Sequence, residues 1–145
     1  MATVLLSVIN LSALASQPLS DKLEIAEESI ERNETGIKKE FILKFKATEN
    51  PLIKKLFMYY DDKRIKEVII YTWDNNTRGW EYCRKREYIY SSHKKLLSII
   101  DTDWDRVQDR WSGDTRHMVY AYTDNGDLQS IRLHRVAATT NIVVK

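Results

Sequence analysis

Two segments with the pattern W-x6-W decide the fold, and they read Trp73-Asp74-Asn75-Asn76-Thr77-Arg78-Gly79-Trp80 and Trp104-Asp105-Arg106-Val107-Gln108-Asp109-Arg110-Trp111. Together they contain all four tryptophans of the chain. Trp104 follows Trp73 by 31 residues and Trp111 follows Trp80 by 31, while the pair Tyr88 and Tyr90 recurs 32 residues later as Tyr120 and Tyr122. This spacing predicts an internal repeat of one supersecondary unit.

Hydrophobic residues alternate with polar ones from residue 37 onward, as expected for strands with one face more buried than the other. Ile37, Phe41 and Leu43, for example, alternate with lysine and glutamate. Further strand-like runs cover residues 52–60, 65–73, 80–90, 96–104, 116–122 and 128–136. Connections this short join antiparallel neighbours. The sequence therefore predicts an all-β fold, an antiparallel meander of hairpins with an internal repeat of about 31 residues.

Two local predictions concern turns. Asn125-Gly126 lies between two strand-like runs and predicts a type I′ hairpin turn, because both residues tolerate a positive φ. Residues 19–36 fit two structures: Leu19, Leu23 and Ile30 fall on one helical stripe, whereas residues 33–36 resemble a hairpin turn that would make residues 27–32 a strand.

The N-terminal residues 1–15 carry no charge and end in Ala13-Leu14-Ala15, which resembles the apolar core and cleavage site of an export signal. No basic residue precedes Val4, so either the start lies upstream of Met1 or this segment is a buried strand or helix. The stretch is too short for a transmembrane helix. We expect an exported, periplasmic or secreted protein in which residues 16–145 form a single antiparallel β domain.

Composition argues against several functions. The net charge of +2 is close to neutral, so we expect no nucleic-acid partner, and we expect no integral membrane segment. Asp101, Asp103, Asp105 and Asp109 have the spacing of a calcium loop, but Arg106 and Ser112 occupy the positions that need glycine and glutamate, so we expect no metal site. The signature motifs of common catalytic sites are absent, and neither a catalytic residue nor a cofactor is predicted.

The most suggestive functional feature is a row of aromatic and arginine side chains. Simple alternation places Trp80, Tyr82, Arg84, Arg86, Tyr88 and Tyr90 on one face of a strand. The row either holds the sheet together through ring pairs or forms a platform that binds sugar rings or a partner protein. The predicted binding residues are Trp80, Trp111, Tyr82, Arg84, Tyr88 and Tyr90.

The run from Tyr59 to Tyr82, Y-Y-D-D-K-R-I-K-E-V-I-I-Y-T-W-D-N-N-T-R-G-W-E-Y, is followed by Y-I-Y at 88–90, the second W-x6-W and V-Y-A-Y at 119–122. In these motifs the chain resembles a family of small secreted proteins of gut Bacteroidales, domain of unknown function 3836. The resemblance implies an exported, β-rich protein and carries no catalytic residue across.

These observations favour a non-enzymatic binding or interaction module for a glycan or a cell-envelope partner. Two alternatives remain open, a hydrolase-type enzyme of the envelope and a purely structural or inhibitory envelope protein. Exposure of the tryptophans distinguishes a binding module from a structural one.

Overall fold

The structure is a computed structural model that describes residues 22–34 and 36–138. Eight strands follow one another along the chain: β1 (Leu23–Asn33), β2 (Gly36–Phe45), β3 (Pro51–Tyr59), β4 (Ile65–Asp74), β5 (Gly79–Tyr90), β6 (Leu96–Asp105), β7 (Arg110–Tyr122) and β8 (Leu128–Val136). They form one sheet in the order β1 to β8, and every neighbouring pair is antiparallel. The predicted antiparallel meander is confirmed. The export signal predicted over residues 1–15 lies outside the described residues.

The first hairpin resolves the ambiguity over the described part of residues 19–36. Residue Asn33 pairs with Gly36, and the register runs from there to Leu23 opposite Phe45. The hairpin interpretation is therefore correct and the helix is not formed. Gly36 has φ of 136°, and a Cβ at this position would collide with the carbonyl oxygen of Tyr59, so only glycine fits.

The internal repeat extends to the loops at one end of the sheet. Three loops close with the same pair of backbone hydrogen bonds. In the first, the amide of Tyr60 donates to the carbonyl of Arg64 at 2.9 Å and the amide of Lys63 donates to the carbonyl of Tyr60 at 2.9 Å. The loops that join Ser91 to Lys95 and Thr123 to Asp127 have the corresponding bonds. Lys63, Lys94 and Gly126 are the residues with positive φ in these loops.

The structure corrects the predicted type I′ turn. Gly126 has φ of 87°, but Asn125 is not among the residues with positive φ. The amide of Gly126 donates to the carbonyl of Thr123 at 2.9 Å, which closes a three-residue loop with glycine in the left-handed position. Loops of this kind consist of a type I turn followed by one left-handed residue, so a positive φ is needed only once.

Two of the loops at the other end of the sheet follow the tryptophans. The Asp74 carboxylate accepts a hydrogen bond from the amide of Asn76 at 2.9 Å, and Asp105 accepts one from the amide of Val107 at 3.0 Å. Short acidic side chains stabilise such turns by binding backbone amides two residues further on. The two W-x6-W segments are therefore the tips of two equivalent hairpins, β4–β5 and β6–β7.

Residues that lie opposite each other in an antiparallel ladder project from the same face of the sheet. One face, here called the tryptophan face, contains Trp73, Trp80, Trp104 and Trp111. The other, here called the arginine face, contains Arg84, Arg86 and Arg116 opposite aspartates of β6 and a patch of apolar residues that includes Phe41, Phe57, Val68 and Ile70.

The sheet is a single layer over the part of the chain that the structure describes. Val68 on the arginine face, 6% exposed, is the buried hydrophobic residue, and Thr102 on the tryptophan face, 4% exposed, is the buried polar one. Most other strand residues are half-buried by their neighbours on the same face. Domains ordinarily bury one sheet face against a second layer, and both faces of this sheet remain accessible.

Each of the seven pairings contains one irregularity of register. The irregularity in β5 determines which of its side chains share a face. Tyr82 lies opposite Tyr71, but Arg84 lies opposite Ile70, so Cys83 is an extra residue in β5. Such a bulge shifts the alternation of side chains by one position. The prediction that residues 80, 82, 84, 86, 88 and 90 share one face is therefore wrong.

Candidate ligand-binding face

Six aromatic rings on the tryptophan face form a contiguous group, which we call the aromatic cluster: Tyr71, Trp73, Trp80, Tyr82, Trp104 and Trp111. Each tryptophan packs edge to face against its partner across a hairpin, Trp73 on Trp80 with centroids 5.2 Å apart and Trp104 on Trp111 at 5.0 Å. Both pairs have the arrangement that the quadrupoles of aromatic rings favour.

Tyr82 joins the two hairpins into one group. Its ring centroid lies 5.0 Å from that of Tyr71, 4.8 Å from that of Trp104 and 5.2 Å from that of Trp111. The bulge at Cys83 ends the alternation just after Tyr82, so Lys85 rather than Arg84 follows it on this face. The cluster thus depends on the local irregularity of β5.

Two lysines lie over the rings of the cluster. The ammonium of Lys54 is 4.3 Å from the centroid of Tyr71 and 5.4 Å from that of Trp80, and the ammonium of Lys85 is 5.4 Å from that of Trp111. These separations allow cation–π attraction. Burial and the neighbouring Tyr82 raise the pKa of the Tyr71 hydroxyl to about 12, so this tyrosine stays neutral at physiological pH.

The four tryptophans are all half-buried, and Tyr82 is 39% exposed. Their strand positions suggest that Trp73 and Trp104 lie deep while Trp80 and Trp111 lie at the surface, but the structure does not separate them in this way. Members of each pair share one face and one hairpin tip. Since no second layer covers this face among the described residues, solvent reaches every ring pair.

The six predicted binding residues do not form one site. Trp80, Tyr82 and Trp111 belong to the aromatic cluster. Arg84, Tyr88 and Tyr90 project from the arginine face. The hydroxyl of Tyr90 donates to the carbonyl of Ile65 at 2.8 Å, and the equivalent Tyr122 donates to the carbonyl of Leu96 at 2.7 Å, so each of these repeated tyrosines joins the two strands of its own hairpin.

Arginines and aspartates on the arginine face form a row of ion pairs. Arg86 makes two hydrogen bonds to Asp101, at 2.6 and 2.8 Å, and Asp103 accepts bonds from Arg84 at 2.7 Å and Arg116 at 3.0 Å. Partial burial raises the pKa of Asp103, but the bonds and charges of both arginines outweigh it and hold that pKa below its ordinary value. These arginines are therefore already bound to partners.

Asp101, Asp103, Asp105 and Asp109 have the spacing of a calcium loop in the sequence. In the structure, the first three have different hydrogen-bond partners. The first two are held by arginines, and the third accepts bonds from its own loop. Among the described residues there is no group of three or more side chains arranged to hold a metal ion. Nor does this part of the chain contain a helix long and apolar enough to cross a membrane.

A pair of carboxylates lies on the tryptophan face beside the cluster. Glu67 of β4 is directly opposite Glu87 of β5. Burial, reinforced by the charge of Glu87, raises the pKa of Glu67, although Lys85 and Lys66 oppose the shift. Lys85 also forms an ion pair with Glu87 at 3.3 Å.

Two depressions lie in the C-terminal half of the sheet. One, of about 370 Å³, is lined by residues of β7 and β8 that include Val119, Arg132 and His134. The other, of about 420 Å³, is lined by the aspartates and arginines of the arginine face near Asp114 and Arg135. Neither contains a residue of the aromatic cluster or of the carboxylate pair.

Comparison with known proteins finds a structural neighbour. The structure is similar to the crystal structure of a DUF3836 family protein from Parabacteroides distasonis, with 15% sequence identity, a TM-score of 0.44, and coverage of 78% of this chain and 90% of that one. No family model and no curated protein matches the sequence. The neighbour is a member of the Bacteroidales family that the sequence resembles. At this identity and TM-score, no residue role transfers from it.

The predicted binding residues include half of the cluster, Trp80, Tyr82 and Trp111, and leave out Tyr71, Trp73 and Trp104. The alternation of β4 does give one usable signal, because Tyr71 precedes Trp73 by two residues and must share its face. Lys54 carried no such signal, because its position over Tyr71 depends on the register between β3 and β4.

Proposed function

We propose that this chain is an exported, non-enzymatic binding module that holds a glycan against its aromatic cluster. The observation that carries the proposal is the accessible group of six rings on the tryptophan face, bridged by Tyr82. Flat rings bury a large apolar area with little loss of conformational entropy, which suits the apolar faces of sugar rings.

The surroundings of the cluster supply polar partners for sugar hydroxyls. Lys54 and Lys85 place ammonium groups over the rings, and the carboxylate of Glu40 lies 4.0 Å from Lys54. A binding site that combines ring faces with a few placed donors and acceptors fixes both the position and the orientation of its ligand. The openness of the face favours a chain of sugars over a single small molecule.

The test is an oligosaccharide array followed by titration calorimetry with the strongest hit. Tyr82→Ala should weaken binding about tenfold or more, since Tyr82 is a central, accessible anchor. The matched control is Tyr88→Ala on the opposite face of the same strand, which should bind as the unaltered chain does. Loss of binding in the control with retention in Tyr82→Ala would reject the aromatic cluster as the site.

Export is the second element of the proposal, and the apolar residues 1–15 with Ala13-Leu14-Ala15 support it. Expression in a bacterial host with a basic residue restored near the N-terminus should give a periplasmic product whose intact mass lacks residues 1–15. A folded product that retains these residues would contradict processing at Ala15.

Hydrolysis of a glycoside is the second candidate, favoured by one observation, the opposed pair Glu67 and Glu87 with the raised pKa of Glu67. Glycosidases use two carboxylates, one of them protonated at neutral pH. Incubation of the array ligand with the chain and with Glu67→Gln distinguishes the two functions. Release of reducing sugar by the unaltered chain alone would establish an enzyme, whereas equal binding without release supports the binding module.

A further inference from the structure

The two outer strands of the sheet each have one unpaired side in the described structure. Strand β1 pairs only with β2, and β8 pairs only with β7. Both are long, with 11 and 9 residues, and nearly every residue from Ile25 to the end of β1 and along β8 is exposed. An exposed strand edge presents a row of free amides and carbonyls that can pair with another chain.

The two edges carry opposite charges. Strand β1 contains four glutamates and one arginine, whereas β8 contains Arg132, His134 and Arg135 and no acid. Glu27 and Glu28 have no ion-pair partner among residues 22–34 and 36–138, and neither do Arg132 and Arg135. Glu31 and Glu24 already form ion pairs with Lys38 and Lys44, each at 3.3 Å, so the acidic edge is unpaired in part, and the two edges are complementary in charge.

Apolar side chains stand on the same face at both edges. Ile25 and Ile30 of β1 are 48% and 59% exposed, and Ile131 and Leu133 of β8 are 50% and 74% exposed. Ile30 shares a face with its partner Lys39, and Leu133 with its partner Met118, and the register across the sheet places both on the arginine face. Joining the two edges would bring these exposed residues together.

We propose that the β8 edge of one copy of this chain pairs with the β1 edge of the next copy, so that the sheet continues from one molecule to another. In the proposed register Leu133 lies opposite Ile30, Arg132 opposite Glu31, and Arg135 opposite Glu28. Each of these pairs shares one face of the sheet, so aliphatic contacts and ion pairs form together.

The directions of the strands agree with this arrangement. Eight alternating strands leave β1 and β8 antiparallel to each other, so a β1 strand placed beside β8 extends the meander without reversing its faces. The two-fold alternatives would instead pair two acidic β1 edges or two basic β8 edges. Like charges directly opposite one another destabilise a ladder, so the head-to-tail arrangement is favoured.

Charged edges often prevent association in β proteins. That protection works when copies repel one another, and it fails when one edge is acidic and the other basic. Because a head-to-tail contact leaves a free edge at each end, the expected product is an open series of oligomers rather than a closed dimer.

Sedimentation velocity of the full-length chain tests the proposal at about 0.02 M and about 0.5 M salt, which differ strongly in charge screening. We expect concentration-dependent oligomers that dissociate at high salt. Arg132→Glu/Arg135→Glu and Glu28→Arg/Glu31→Arg should each be monomeric alone, and an equimolar mixture of the two should associate again. The control Arg78→Glu/Arg110→Glu reverses two exposed loop-end charges and should associate normally.

Disulfide trapping provides a second measurement that does not depend on charge reversal. In a Cys83→Ser background, Ile30→Cys mixed with Leu133→Cys should form a cross-linked heterodimer, and the chain with both cysteines should form a ladder. A monomeric unaltered chain, association that survives both charge reversals, cross-linking of Leu133→Cys with itself, or a disulfide formed only within one chain would each overturn the proposal.

Discussion

Tyr82 and Arg84 project from opposite faces of β5, although a single residue separates them. Tyr82 lies opposite Tyr71 in the ladder and contacts Trp104, whereas Arg84 lies opposite Ile70 and binds Asp103 on the other face. The extra residue Cys83 makes both placements compatible. One bulge therefore divides a continuous sequence motif between an aromatic surface and a row of ion pairs.

Deletion of Cys83 should remove the bulge with little loss of stability. Tyr82 and Arg84 then become consecutive residues opposite Tyr71 and Ile70, so ordinary alternation keeps Tyr82 in the aromatic cluster and Arg84 beside Asp103. We expect the free energy of unfolding by urea to change by at most about 1 kcal/mol, as it should for Cys83→Ala, which keeps the chain length. A loss of about 3 kcal/mol or more in the deletion variant alone would mean that the bulge itself stabilises β5.

The two tryptophans of each pair should stabilise the fold cooperatively. Because all four are half-buried, Trp104→Ala and Trp111→Ala should each cost about 1 to 3 kcal/mol, less than full burial would imply. A double-mutant cycle should give a coupling of about 0.5 to 1.5 kcal/mol, the range for edge-to-face rings. The cycle for Trp73 and Trp80 should agree with it, as measured by urea unfolding followed by circular dichroism. A coupling near zero in both hairpins would show that the rings act independently.

Lys63→Gly should stabilise the protein. Lys63 has φ of 68° at the loop position that Gly126 fills with φ of 87°. A left-handed conformation strains a residue that has a Cβ, and relief of this strain exceeds the entropic cost of glycine, which leaves a gain of about 0.5 to 1 kcal/mol. Gly126→Val should have the opposite effect, a loss of about 1 kcal/mol or more. Thermal unfolding of both variants checks the prediction, and a lower melting temperature for Lys63→Gly would contradict it.

The ion pairs of Asp103 should make stability depend on pH. Its folded pKa lies below the ordinary value of 3.8, so its contribution is present above that value and is lost as the pH falls through the lower folded pKa. Asp103→Asn should cost about 0.5 to 1 kcal/mol at pH 7, since the carboxylate is partly exposed. The difference in free energy of unfolding between Asp103→Asn and the unaltered chain should be smaller at about pH 2. A difference that is the same at both pH values would mean that the charge of Asp103 contributes nothing.

Much of the architecture was predictable because its signals are local. The W-x6-W segments and the alternating runs placed the strands from β4 to β8 and their loops, and the structure confirms the repeat they indicated. The aspartate before each long turn recurs in the sequence because it makes an equivalent hydrogen bond in both hairpins. The same holds for the tyrosine at the end of each second strand.

The candidate site was only half predictable. A bulge cannot be recognised in the sequence when its extra residue, here Cys83, suits a strand as well as its neighbours do. The position of Lys54 over Tyr71 likewise depends on the register between strands that a single sequence does not encode locally. The prediction of a type I′ turn at Asn125-Gly126 was wrong for a related reason, since the same dipeptide also suits a three-residue loop.

Every pairing in this sheet joins strands that are consecutive along the chain, and each is closed by a short loop. The entropy lost in closing each hairpin is correspondingly small, so we expect the sheet to assemble quickly, by successive addition of hairpins. The same property makes the length of the protein adjustable. Another 31-residue unit inserted at the loop between Tyr60 and Arg64 would add two strands and leave every other ladder in register, so the sheet can lengthen by duplication without a new topology.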